Sequence, residues 1–263
     1  MSEQTTNKFS LINLPNSVDN TVKNLTDIPA KNIGQTFGDL WYLVFGGISH
    51  VADKRRLKYT ADLKKYQNEL NDSIKLIPPE RVQEPSLQTT AQALENSKYC
   101  ISSDYLRKMF VKLITSTMDT QFDPYTHPSF PEIIKQMSPL DAELLSSFQT
   151  KSSQPIVNFR LSSSSGGTRT IERYIFFDIN GSHSYPYAAS ISSLERFGLL
   201  SVDFSRWFSD LSTYKIFTDF PYFKHLQSEY TNKNSGASLE IEKGICTLTP
   251  LGMHFIKSCL PET

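Results

Sequence analysis

Ser192-Ser193-Leu194-Glu195-Arg196-Phe197-Gly198-Leu199-Leu200 and Leu239-Glu240-Ile241-Glu242-Lys243-Gly244-Ile245-Cys246-Thr247-Leu248-Thr249-Pro250-Leu251-Gly252 decide how this chain is read. The first stretch reads as a helix stopped by Gly198, a residue that ends helices without steric cost. A strand opens directly after it. The second reads as a strand ending at Thr249-Pro250, an N-cap followed by a proline that starts the next helix. Helix, glycine stop, wing strands, Thr-Pro start and helix form the outline of a winged-helix domain.

Upstream, Ser138-Pro139-Leu140-Asp141 is a helix start, with serine at the N-cap, proline next and an acid at the third position. The domain boundary is placed just before it. Ile156 to Leu161 and Thr170 to Phe177 read as strands, and Ser162 to Gly167 between them as a hairpin loop. Aromatic residues crowd Phe204 to Tyr230, which reads as a helical insertion. Residues 138–263 are therefore expected to form a winged-helix-like α+β domain with an inserted β-hairpin.

Residues 30–137 read as helical, after a polar leader over 1–29. Ile33, Phe37, Leu40, Trp41, Val44, Phe45 and Ile48 recur at three- and four-residue steps, the mark of one apolar helix face. Gly34 and Gly38, one turn apart, predict the close approach of another helix. Tyr59, Leu63, Tyr66, Leu70, Ile74 and Ile77 form a narrower, heptad-like seam, open both to an internal hairpin and to self-association. Two shorter helices follow, one after Pro85-Ser86 and one capped by Ser102 or Ser103. The expected fold class is α+β, a helical N-terminal region followed by the winged-helix-like domain.

Composition narrows the class. With 38% hydrophobic and 21% charged residues among 263, the chain is that of a soluble folded protein of one large or two ordinary domains. A formal net charge of +0 argues against a surface devoted to nucleic acid. Cys100, Cys246 and Cys259 form neither a disulfide framework nor a zinc pattern and read as reduced thiols. The first residues lack signal-peptide character, and Leu40 to Ile48 is too short to span a bilayer. A cytoplasmic location is expected, with contact at the inner membrane face as the open alternative.

No Walker loop, GxSxG, HExxH or Rossmann glycine pattern is present, so no reaction and no cofactor is assigned. Three constellations remain. Asp119, Asp123 and His127 carry groups able to bind a divalent metal or share a proton, although the prolines among them favour side chains that fix turns and cap helices. Lys54, Arg55, Arg56 and Lys58 follow the apolar face ending at Ile48; they suit an anionic membrane, a phosphate backbone, or a plain solvated face. Ser190, Ser193 and Arg196 sit on the helix that would read DNA in a winged helix. With one cation there and Glu195 beside it, electrostatics favour a protein partner over a duplex.

Ala30 to Leu40, His127-Pro128-Ser129-Phe130-Pro131-Glu132-Ile133-Ile134-Lys135-Gln136-Met137-Ser138-Pro139-Leu140-Asp141-Ala142 and Leu194 to Leu199 resemble the abortive-infection alpha (Abi-alpha) family, from about Pro29 to Ile256. The resemblance implies a role in bacterial defence against bacteriophage, in which an infected cell stops growing or dies. It brings no catalytic residue and no mechanism. The function expected from it is defence through contact with a protein partner, a phage component or the membrane. A DNA-binding regulator is the alternative.

Overall fold

The computed structural model describes residues 31–46, 53–163, 166–177, 187–233 and 237–261, and the side chains of these except 31–36, 53–57 and 231–233. The leader over 1–29, and His50 and His183, lie outside the described residues. The helices are α1 (Lys31–Phe45), α2 (Asp53–Lys75), α3 (Leu87–Ser97), α4 (Asp104–Thr117), α5 (Phe130–Gln136) and α6 (Pro139–Ser146). The second half adds β1 (Ser153–Ser163), β2 (Thr168–Ile175), α7 (Tyr187–Arg196), β3 (Leu200–Asp203), α8 (Lys215–Asp219), α9 (Pro221–Lys233), β4 (Ala237–Leu248) and α10 (Pro250–Cys259). Among the described residues the chain is α+β, with ten α-helices and one four-stranded antiparallel sheet.

Local signals place several element ends. Ser138 and Asp141 form a reciprocal capping box, with Asp141 N–H donating to Ser138 Oγ at 3.1 Å and Ser138 N–H to Asp141 Oδ2 at 2.8 Å. Gly198 ends α7 at φ 71°, with the two bonds of a Schellman turn: Gly198 N–H to Glu195 O at 2.8 Å and Leu199 N–H to Leu194 O at 2.9 Å. Thr249 caps α10 by accepting from Gly252 N–H at 2.9 Å, and its hydroxyl donates to Gly198 O at 2.5 Å. A Cβ at Gly252 would stand 2.1 Å from Leu199 O, so the turn after α7 presses directly on the first turn of α10.

The sheet order is β2-β1-β4-β3. The hairpin expected as an insertion supplies the central strand β1, which pairs with β4 from Ser153↔Thr247 to Ser163↔Ala237. Its residues Ile156, Val157, Phe159 and Leu161 are buried on both faces, as a central strand requires. Ile156 faces the helical body; Val157, Phe159 and Leu161 face a second apolar cluster with Phe217, Phe223 and Leu226 of the insertion. Buried Tyr214 fixes the insertion, donating to Gly244 O at 2.9 Å and accepting from Phe208 N–H at 3.1 Å.

One helix, α7, lies between β2 and β3 among the described residues, where a winged helix carries a helix pair. The apolar core crosses position 138 without a break. Phe110 and Leu113 share it with Phe255 and Cys259. Phe130 meets Phe255 edge-on at 4.9 Å, and Ser116 Oγ donates to Ser258 O at 3.1 Å.

The apolar face of α1 is turned inward: Phe37, Leu40, Trp41, Val44 and Phe45 are buried, with Trp41 5.6 Å from Tyr66 of α2. The close helix approach expected at Gly38 is absent, since a Cβ there would meet nothing within 4 Å. On α2, Tyr66, Leu70 and Ile74 are buried inside this same core, with Ile77 just beyond the helix, so the seam is used within the chain. No described helix is long and apolar enough to cross a membrane.

Candidate functional site

Two helices and two short turns build a groove. α2 and α4 run side by side in the same direction, fixed by one buried guanidinium. Arg107 of α4 is 1% exposed. Its Nε and Nη2 donate to Glu69 of α2 at 2.8 and 3.1 Å, its Nη1 to Ile101 O at 2.8 Å, and it also holds Asp104. Lys65 of α2 reaches Asp104 at 3.0 Å, one turn earlier on both helices. A planar fork suits this arrangement because it can satisfy a carboxylate bidentately and still reach a carbonyl. The Asp104 carboxyl is held down at about 2 by hydrogen bonds from Arg107 and then Lys65.

Beyond this link the helices leave a cleft of about 670 Å³. Its α2 wall carries Glu69, Asp72 and Ser73, with Leu76 just past the helix end, and its α4 wall Lys108, Val111, Lys112 and Thr115, each set at one-turn spacing. The 3₁₀ turns Pro79–Arg81 and Thr120–Phe122 close the base, joined by a bridge between Val82 and Asp119 and by Gln83 N–H donating to Met118 O at 2.9 Å. Leu76 is 82% exposed on the rim. Lys112 lies over the Phe122 ring at 4.4 Å. Two polar atoms of the lining residues, Arg81 Nε and Thr115 Oγ1, are buried without a partner. Such groups cost about 1–3 kcal/mol each when left unmatched.

Asp119 belongs to this groove. It is buried, pairs with Arg81 at 2.9 Å and caps the second turn by accepting from Gln121 N–H at 3.0 Å. Asp123 accepts from Gln83 Nε2, and His127 Nδ1 accepts from Ser129 N–H at 3.2 Å. Asp119 and Asp123 thus tie their loop to Arg81 and Gln83 of the first turn, and His127 fixes its own stretch. Among the described residues no three His, Cys, Asp or Glu side chains are grouped to hold a metal ion. Lys58 is exposed near the start of α2; the side chains of Lys54, Arg55 and Arg56 lie outside the described ones. On α7, Ser190 is buried and Ser193 half-buried, while Arg196 is exposed, donates to Gln136 at 3.3 Å and covers the Phe197 ring. The outward face of this helix is Ala189, Ser192 and Arg196, which offers a duplex one cation.

The cysteines are all buried and free. Burial pushes each thiol above its ordinary value, which keeps it protonated and a poor nucleophile. Sequence reading passed over Arg81, Arg107, Lys108 and Lys112, because a cation on a helix or turn reads as solvated. The one local hint was position: Arg107 lies between Leu106 and Phe110 on a helix buried nearly all round.

Residues 58–259 match the family abortive infection alpha. That span covers both walls of the groove, the whole sheet and α10, and the chain belongs to this family. No curated protein and no solved structure matches it.

Proposed function

We propose that the chain serves antiphage defence by abortive infection as a binding protein, and that the groove between α2 and α4 is where it engages a protein partner. Membership of the abortive infection alpha family supports the biological role. The observation that carries the mode of action is the groove itself: a concavity whose rim exposes Leu76 while charged side chains line both walls. The lining mixes the apolar side chains of Leu76 and Phe122 with charged ones, the mixed character of a non-obligate protein contact. Burial of the α1 aromatic face supports a protein partner over a lipid surface, because the apolar half of an amphipathic membrane contact is already covered. The thin cationic character of α7 weighs against a duplex.

The test is phage plating on cells that carry the protein, its Leu76→Asp variant, or neither. The expected result is fewer plaques with the protein and plaque counts restored by Leu76→Asp, at equal protein level and melting temperature. Equal protection by the variant would remove the groove from the mechanism. Equal plaque counts with and without the unaltered protein would remove the defence role.

A further inference from the structure

Resting on the reading of the α2–α4 groove as the docking site, we propose that what docks there is a second copy of this chain, paired about a two-fold axis that runs along the groove. A two-fold contact needs one patch that is complementary to itself. The groove meets that need first in shape. The same patch carries a hollow of about 670 Å³ and, on its rim, Leu76 standing 82% exposed. Each copy therefore offers both a projection and a place to receive one.

Charge is the second requirement, because a patch of one sign repels its own copy. Here the lining sets Glu69, Asp72 and Asp119 against an equal number of cations, Arg81, Lys108 and Lys112. Asp72 and Lys108 are exposed on opposite walls, with no ion pair between them. The walls run in one direction, Lys65 level with Asp104 and Glu69 with Arg107. Carried on at the helical rise, that register puts Asp72 and Lys108 about 3 Å apart along the groove axis, and Leu76 beside Thr115. Rotation about that axis lays the α2 wall of each copy over the α4 wall of the other and keeps every height unchanged. Asp72 of each copy then meets Lys108 of the other, twice by symmetry, and Leu76 packs against Val111 and Thr115. The charge balance that leaves the groove without attraction for a charged ligand is what lets it pair with itself.

The experiment is sedimentation velocity on the whole protein at about 50 µM, above the micromolar dissociation constants of modest interfaces. The unaltered protein is expected to sediment as a dimer and Leu76→Asp as a monomer. Asp72→Lys and Lys108→Asp, each alone, set like charges face to face at both contacts and weaken pairing about tenfold or more. Mixed in equal amounts, these two variants pair with each other, and the doubly reversed chain pairs with itself. All the positions are exposed, and an unchanged circular dichroism spectrum accompanies each variant. A monomeric unaltered protein, a dimer indifferent to both reversals, or no recovery in the mixture overturns the proposal. If Leu76→Asp still restores plaques in that case, the groove survives as the docking site for a different protein and only self-pairing is lost. A dimer that Leu76→Asp breaks without loss of protection upholds the pairing and removes the groove from defence.

Discussion

Arg107 meets Glu69, Asp104 and the Ile101 carbonyl from one guanidinium that water does not reach. Removing it leaves Glu69 facing a gap of low polarity. Arg107→Met, which keeps the stem and deletes the charge, is expected to cost about 3 kcal/mol, the low end for a broken buried pair because Glu69 retains some exposure. Replacing Glu69 by Met as well should restore much of that loss, since no buried charge then remains; urea unfolding of both variants checks it. Asp104 makes a separate, pH-dependent contribution. Its carboxyl is held at about 2 in the folded chain, below the unfolded value of about 3.9. The stability it adds is therefore present above about pH 4 and lost as the pH falls toward about 2. The melting-temperature gap between the unaltered protein and Asp104→Asn should close over that window and stay open at neutral pH. A gap that is constant with pH would contradict the assignment. At Gly252 the constraint is steric: a methyl group would meet Leu199 O at 2.1 Å. Gly252→Ala should destabilise by about 1–3 kcal/mol, as forced overpacking does.

Elements whose ends are set by neighbouring residues were legible in the sequence. The Ser138–Asp141 box, the Gly198 stop and the Thr249 cap each use atoms within a few positions, and the structure shows all three. Thr249 also joins elements, because its hydroxyl bonds Gly198 O while accepting from Gly252 N–H. Thr249→Val should therefore lower stability by about 1–2 kcal/mol, at the upper side of a cap loss, measured by thermal or urea unfolding; a loss near zero would mean that neither the cap nor the link to α7 contributes. What the sequence could not reveal was pairing at a distance. β1 read as half of an inserted hairpin because its nearest strand is β2, yet its full-length partner is β4, with Asn158 donating to Glu242 across 84 positions. The groove was hidden for the same reason. Arg107 and Glu69, like Arg81 and Asp119, are 38 positions apart, and a cation reads as solvated until its partner is known. Asp119, Asp123 and His127 each answer to a different donor, which is the turn-fixing role that the prolines among them favour.

At the scale of the molecule, the sheet separates two apolar clusters, the insertion closes one face, and the helical body continues through α10 on the other. Against that body, the α2–α4 groove combines an exposed leucine with walls of opposite charge, in a chain that belongs to the abortive infection alpha family. At 82% exposure the packing does not require Leu76 to be apolar, whereas the proposed docking does. The direct measurement is the plaque count on cells carrying Leu76→Asp beside cells carrying Leu76→Met, at matched protein level. Protection lost with Asp and kept with Met is the predicted result. Equal protection from both would contradict the account.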